Sequence, residues 1–214
     1  MELKLFAGPL TRFYTRPDEA GDAPSAADVL PAVCAWRDTI AAGAGDQIDQ
    51  EIYWEEAADL PALTTEPTWA GWYALVLCAL AQEQGAALTE TGPGWMERFE
   101  QWPVWQAAQQ PGYASRYPSL CRSADLWLPV EEDLLITGPD PSGEIEMTVS
   151  AVGSLWRELT ALGSAMWRLT PETAGDPLPV DGDSFEEAAR RAYTHVCRAL
   201  QFARRHHCPL LLDY

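Results

Sequence analysis

LLITGPDPSGEIEMTV, residues 134–149, is the stretch on which the fold turns. Leu134 to Thr137 and Glu144 to Val149 are two short arms, and Gly138-Pro-Asp-Pro-Ser-Gly143 between them consists of turn formers. In the second arm Ile145, Met147 and Val149 alternate with Glu144, Glu146 and Thr148, the period of a strand with one covered face. The period then changes. Leu155, Leu159, Leu162 and Met166 form a helical stripe, with Trp156 and Trp167 beside it. A hairpin running into an amphipathic helix predicts a mixed α/β or α+β fold. We expect one domain spanning residues 1–214, with a small mixed sheet packed by three or more long helices.

Towards the C-terminus, residues 171–183 are rich in Pro, Gly and Asp and read as a loop. Ser184 and Glu187 have capping-box spacing, and a long helix is predicted to about His206. Its apolar face carries Phe185, Ala189, Ala192, Tyr193, Val196, Ala199, Leu200 and Ala203, with Arg190, Arg191, Arg198 and Arg205 on the opposite arc. Pro209 ends it, and Leu210 to Leu212 reads as a closing strand. Towards the N-terminus, Leu126 to Leu128 is a short strand. Trp95, Phe99 and Trp102 mark one face of a helix that Pro103 interrupts. Thr65 to Gln84 is the clearest buried helix, capped by Thr65 or Thr68 and stopped by Gly85. Ser25 caps a helix to about Ala42, unless Pro31 delays its start to Leu30. Glu2 to Phe6 alternates as a first strand.

Residues 48–54 admit two readings. As a strand, Ile48, Ile52 and Trp54 share one face and Asp49, Glu51, Tyr53 and Glu55 the other. As a helix, Glu51, Glu55 and Asp59 align. We read a strand entering a short helix near Glu55.

Charge is the chain's most unusual property. Thirty-two Asp and Glu oppose fourteen Lys and Arg, for a formal charge of −18, and Lys4 is the single lysine. Residues 186–214 hold five of the bases and three of the acids. The field repels nucleic acid and anionic membrane and attracts basic proteins and cations. A 47% hydrophobic content with ten tryptophans belongs to a folded chain, not to an acidic disordered one. Five widely spaced cysteines without a CxxC pair predict reduced thiols in a cytoplasmic protein. The opening residues lack a signal-peptide pattern, and the longest apolar run, Trp69 to Ala81, is too short to span a bilayer. Arginine-over-lysine usage with abundant alanine suggests a bacterial source.

No nucleotide-binding, metalloprotease or nucleophile-elbow motif occurs, so no cofactor is expected. Gly153-Ser154 and Gly163-Ser164 lie in helical context. His195 and Cys197 point about 200° apart on a helix and cannot share a metal without distortion. His206 and His207 fit a helix end, so no metal site is expected. Most tryptophans are expected in the core, with Trp54, Trp102 and Trp105 as surface candidates because their neighbours are polar. Glu131, Glu132 and Asp133 read as a charge cluster at a strand edge.

The densest acid row supplies the first functional expectation. Asp46, Asp49, Glu51, Glu55, Glu56 and Asp59, with Tyr53 and Trp54 as aromatic anchors, form a face for a basic protein partner. An immunity-type inhibitor of a cationic toxin is its concrete form. The alternative is a small-molecule or carbohydrate-active enzyme using two carboxylates of the 46–59 cluster. A third reading is an assembly component that docks through Arg190, Arg191, Arg198 and Arg205.

Overall fold

The computed structural model describes residues 2–17, 23–45, 47–57, 59–88, 92, 94–122, 124–143, 145–176 and 184–214. In chain order the elements are β1 (Lys4–Ala7), α1 (Leu10–Tyr14), α2 (Ala26–Ala44), β2 (Leu63–Thr65) and α3 (Trp69–Gln84). A 3₁₀ segment, Met96–Gln101, leads into α4 (Pro103–Ala108) and α5 (Pro118–Cys121). β3 (Leu126–Leu128), β4 (Leu135–Pro139) and β5 (Glu146–Ala151) precede α6 (Val152–Trp167), α7 (Phe185–His206) and β6 (Leu210–Asp213).

The strands form one mixed sheet in the order β2-β1-β6-β3-β5-β4. β3 and β5 are parallel, and the other neighbours are antiparallel. β4 and β5 are the expected hairpin, with Ile136 opposite Val149. β1 pairs with β6 through Leu5 and Leu212, which brings the two ends of the chain together inside the sheet.

Strand alternation divides the core into two layers. Leu5, Ala7, Trp127, Leu210 and Leu212 face α3, α6 and α7. Leu126, Leu128, Val149 and Leu211 face the other way, onto Val33, Trp36 and Ile40 of α2 and onto Ile48, Ile52 and Trp54. The protein is therefore one α/β domain, a sheet covered on both sides.

Local chemistry explains where the helices start and stop. The Ser25 hydroxyl accepts from Asp28 N at 3.3 Å, Thr68 from Gly71 N at 3.1 Å and Ser184 from Glu187 N at 3.3 Å. Ser184 also donates to the Glu187 carboxylate. Gly85 ends α3 in the left-handed region at φ 63°. Glu186 and Glu187 in the first turn of α7, with Arg204, Arg205 and His206 in its last, complement the helix dipole. α2 begins at Ala26 and carries Pro31 within it. Leu30, Pro31 and Ala32 are exposed, so the lost backbone bond lies on the wet side.

Two departures from the expected elements stand out. α3 starts at Trp69 because residues 63–65 pair with β1, leaving Pro67 and Thr68 to turn the chain. Residues 51–57 belong to neither strand nor helix. Among the described residues no strand pairs with the segment, and side chains bond its backbone: Arg37 donates to Trp54 O at 2.8 Å and Asp49 N donates to the Glu132 carboxylate at 2.9 Å. In return the Gln50 side chain accepts from Glu131 N at 2.7 Å. Ile145 and Met166, both assigned to buried stripes, are exposed, the first at the hairpin turn and the second in the last turn of α6.

Candidate functional site

The acid row sits where the chain passes from α2 back to β2. Asp46 lies outside the described residues. From Ile48 onwards burial alternates: Ile48, Ile52 and Trp54 are buried, while Asp49, Glu51, Tyr53 and Glu55 are exposed, as is Asp59 further on. Trp54 is fully buried, so its assignment as a surface anchor is corrected. Polar sequence neighbours misled there, because alternation places the tryptophan opposite them, edge-on to Trp36 at 6.4 Å. Trp102 is buried as well and stacks on Phe185, while Trp105 is half-buried. All ten tryptophans are buried or half-buried. Tyr53, 51% exposed with the Arg37 guanidinium 4.8 Å from its ring, is the aromatic that reaches the surface here.

Glu56 is also reassigned. Its carboxylate accepts from Leu10 N at 2.9 Å, from Thr11 N at 2.7 Å and from the Trp54 indole. It ties the start of α1 to the segment and is not a free binding group. The bond between Asp49 N and Glu132 instead joins the row to the 131–133 cluster, so two acid groups far apart in sequence form one edge. Glu131 pairs with Arg204 and Asp133 with Arg157. Among the described residues, Asp49, Glu51, Glu55 and Asp59 form no ion pair.

Beside that edge lies a carboxyl group that the sequence reading missed. Glu158, on the first half of α6, is 6% exposed. Its Oε1 accepts from Ser119 N at 3.0 Å and from the Ser119 hydroxyl, and its Oε2 accepts from Leu120 N at 3.0 Å. Burial pushes its pKa up to about 7, against the pull of those donors, and the charge of Asp133 adds to the rise. Asp133 shifts the other way: Arg157 and the Ser154 hydroxyl hold its carboxyl below the usual carboxylate range. The two acids line one cavity of about 480 Å³ together with Gln47, Arg116 and Arg157. A signal for Glu158 was present, since a glutamate at position 158 falls on the same helical face as Leu155, Leu159 and Leu162.

Two glycines bring these elements close. A Cβ at Gly153 would stand 2.3 Å from Glu131 O, so the start of α6 lies directly against the acidic loop. A Cβ at Gly163 would stand 2.1 Å from the Tyr193 hydroxyl, where α6 crosses α7. Their helical setting reflects close packing.

Of the arginine arc, Arg190, Arg198 and Arg205 are exposed and Arg191 is half-buried. Arg198 and Arg205 border a cavity of about 410 Å³ that Glu172 and Asp176 share. His195 Nδ1 accepts from Glu66 N at 3.3 Å, and burial together with Arg198 and Arg191 lowers its pKa. Cys78, Cys197 and Cys208 are buried thiols whose pKa burial raises to about 12, which makes them poor nucleophiles. Among the described residues no three His, Cys, Asp or Glu side chains cluster as metal ligands, and no helix is long and apolar enough to cross a membrane. Compared with family models, with curated proteins and with solved structures, the chain has no match.

Proposed function

We propose that the protein binds a basic protein partner through the acidic edge formed by Asp49, Glu51, Glu55, Asp59 and Glu132, with Tyr53 as its aromatic contact. The concrete form is an immunity-type inhibitor of a cationic toxin. The observation that carries this reading is that Asp49, Glu51, Glu55 and Asp59 are exposed and, among the described residues, unpaired with any base. Unneutralised charge of one sign speeds encounter with an oppositely charged surface, and an aromatic at its centre supplies short-range contact. The enzyme reading of the same cluster has less support. The cavity that holds a desolvated carboxyl is lined by Asp133 and Glu158, not by Asp49, Glu51, Glu55 or Asp59.

The test is capture of the partner from cells with the intact protein and, in parallel, with an Asp49→Asn, Glu51→Gln, Glu55→Gln, Asp59→Asn variant of unchanged circular dichroism. The expected partner is basic, is lost to the variant, and associates with the intact protein at a rate that falls steeply as salt rises. A partner that binds both proteins equally, or whose association rate ignores ionic strength, refutes the proposal.

A further inference from the structure

The cavity beside the acidic edge has a floor and a rim of different character. Glu158 is the buried one of its charged residues, whereas Asp133, Arg157 and Arg116 are solvated. The rim charges have local partners. Arg157 is held by Asp133 and by Glu131 O, and Arg116 turns to the main-chain and side-chain oxygens of Gln82. Glu158 has no cationic partner among the described residues. Its Oε1 accepts two donors and its Oε2 one, which leaves one acceptor position open on a buried carboxylate. Pro118, Leu134, Leu135 and Ala161 supply apolar wall.

A buried carboxylate lacking a counter-charge, at the bottom of an open cavity with apolar sides, suits a compact cation on an alkyl stem. One open acceptor position fits the point charge of an ammonium. A planar guanidinium needs two parallel acceptors. We propose that this cavity receives a lysine side chain of the basic partner, with its ammonium against Glu158 and its methylenes along Leu134 and Leu135. This rests on the partner being basic. It adds the specificity that a solvated acidic edge lacks.

The probe is Nα-acetyl-lysine methylamide, followed by the backbone amide resonances of the full chain, with the norleucine derivative, which keeps the four side-chain carbons and lacks the ammonium, as control. Saturable shifts centred on Ser119, Leu120 and Ser154 are expected from the lysine probe alone. Facing Glu158 or its cavity are the carboxyl of Asp133, which Arg157 and Ser154 hold low, the guanidinium groups of Arg116 and Arg157, and the Tyr117 phenol and Cys121 thiol, which burial pushes up. Glu158 itself titrates near pH 7, so apparent affinity should fall about tenfold from pH 8 to pH 6 as its proton competes with the ammonium. Glu158→Gln should abolish the shifts. Because that change also alters the bonds to Ser119 and Leu120, Ala161→Trp provides the second variant: it fills the cavity from an exposed position, keeps every charge, and should abolish them too.

Equal shifts from the norleucine probe, a pH-independent affinity, or undiminished binding by Ala161→Trp would each overturn the proposal. The edge variant with Asp49, Glu51, Glu55 and Asp59 neutralised should bind the probe within twofold of the parent. A lost probe response with retained salt-sensitive partner capture therefore removes the lysine cavity and leaves the acidic edge standing. The reverse result removes the edge alone.

Discussion

Replacing Glu56 by alanine should unsettle the fold, while the same change at its neighbour Glu55 should be almost silent. Glu56 accepts from three donors, Leu10 N, Thr11 N and the Trp54 indole, and the residues that carry them are 1%, 2% and 0% exposed. These residues are closed to water in the intact fold, and truncation removes the shared acceptor of all three donors. An unsatisfied buried donor costs about 1–3 kcal/mol, and three at the low end amount to about 3 kcal/mol. That is a large share of the roughly 5–15 kcal/mol typical of a whole domain. In urea, with a slope near the upper end of the usual range at about 3 kcal/mol/M, the unfolding midpoint should fall by about 1 M. The ten tryptophans together report the transition through their fluorescence. Glu55→Ala, at an exposed site, should change stability by less than about 0.5 kcal/mol. Glu56→Gln retains one acceptor oxygen and should fall between the two. If Glu56→Ala unfolds within roughly 0.2 M of Glu55→Ala, the structural role assigned to this carboxylate is wrong.

Three further outcomes follow from the same geometry. The folded-state pKa of Glu158, about 7, lies above the usual 4.5, so its protonated form favours folding. That contribution is complete below pH 4.5 and is lost as pH rises to 7, at a cost of about 3 kcal/mol. The stability gap between the parent and Glu158→Gln should move by that amount in the variant's favour between pH 4.5 and pH 8, and parallel pH profiles would count against it. Gly153→Ala forces a methyl group onto the backbone of Glu131 and should cost about 1–3 kcal/mol in chemical denaturation, whereas Gly43→Ala, with open space around it, should not destabilise. Thr68 holds φ 61° and ψ 153°, a region costly for a β-branched residue. Thr68→Gly removes that strain for a few tenths of a kcal/mol of lost capping, and thermal unfolding should show a net gain of about 1 kcal/mol.

Elements whose own residues determine them were readable in the sequence. β5, α6 and α7 each carry a period in their own residues, a turn-forming run precedes β5 and Ser184 caps α7, and all three form where expected. The helix ending at Gly85 was also placed, and of the two caps the sequence offered, Thr65 and Thr68, the structure uses Thr68. Leu63 to Thr65 form a strand only because β1 lies beside them, and that neighbour is 56 residues or more away in sequence. Residues 48–57 failed for a related reason. Their alternation correctly separated Ile48, Ile52 and Trp54 from Asp49, Glu51 and Glu55. A period of two marks a covered face, however, and does not supply a pairing strand. Arg37 and Glu132, which satisfy that backbone, are invisible to local pattern. Glu56 and Glu158 were misjudged or missed because a carboxylate's role depends on which amides the tertiary fold points at it. Only the intrusion of Glu158 into an apolar helical face hinted at its burial.

The place of β6 constrains how this chain can be made. β2 and β1 form one sheet fragment and β3, β5 and β4 another, and the strand between them, Leu210–Asp213, is synthesised after the other five. At about 5–20 residues per second, a ribosome needs roughly 10–40 s to pass from β1 to it. β1 exposes an unpaired edge to other nascent chains for that whole interval and β3 for its last part, a recognised route to aggregation. Producing this protein in quantity should therefore depend on holding chaperones during translation, and shortening it by five residues at its end should yield insoluble material even though no helix is touched.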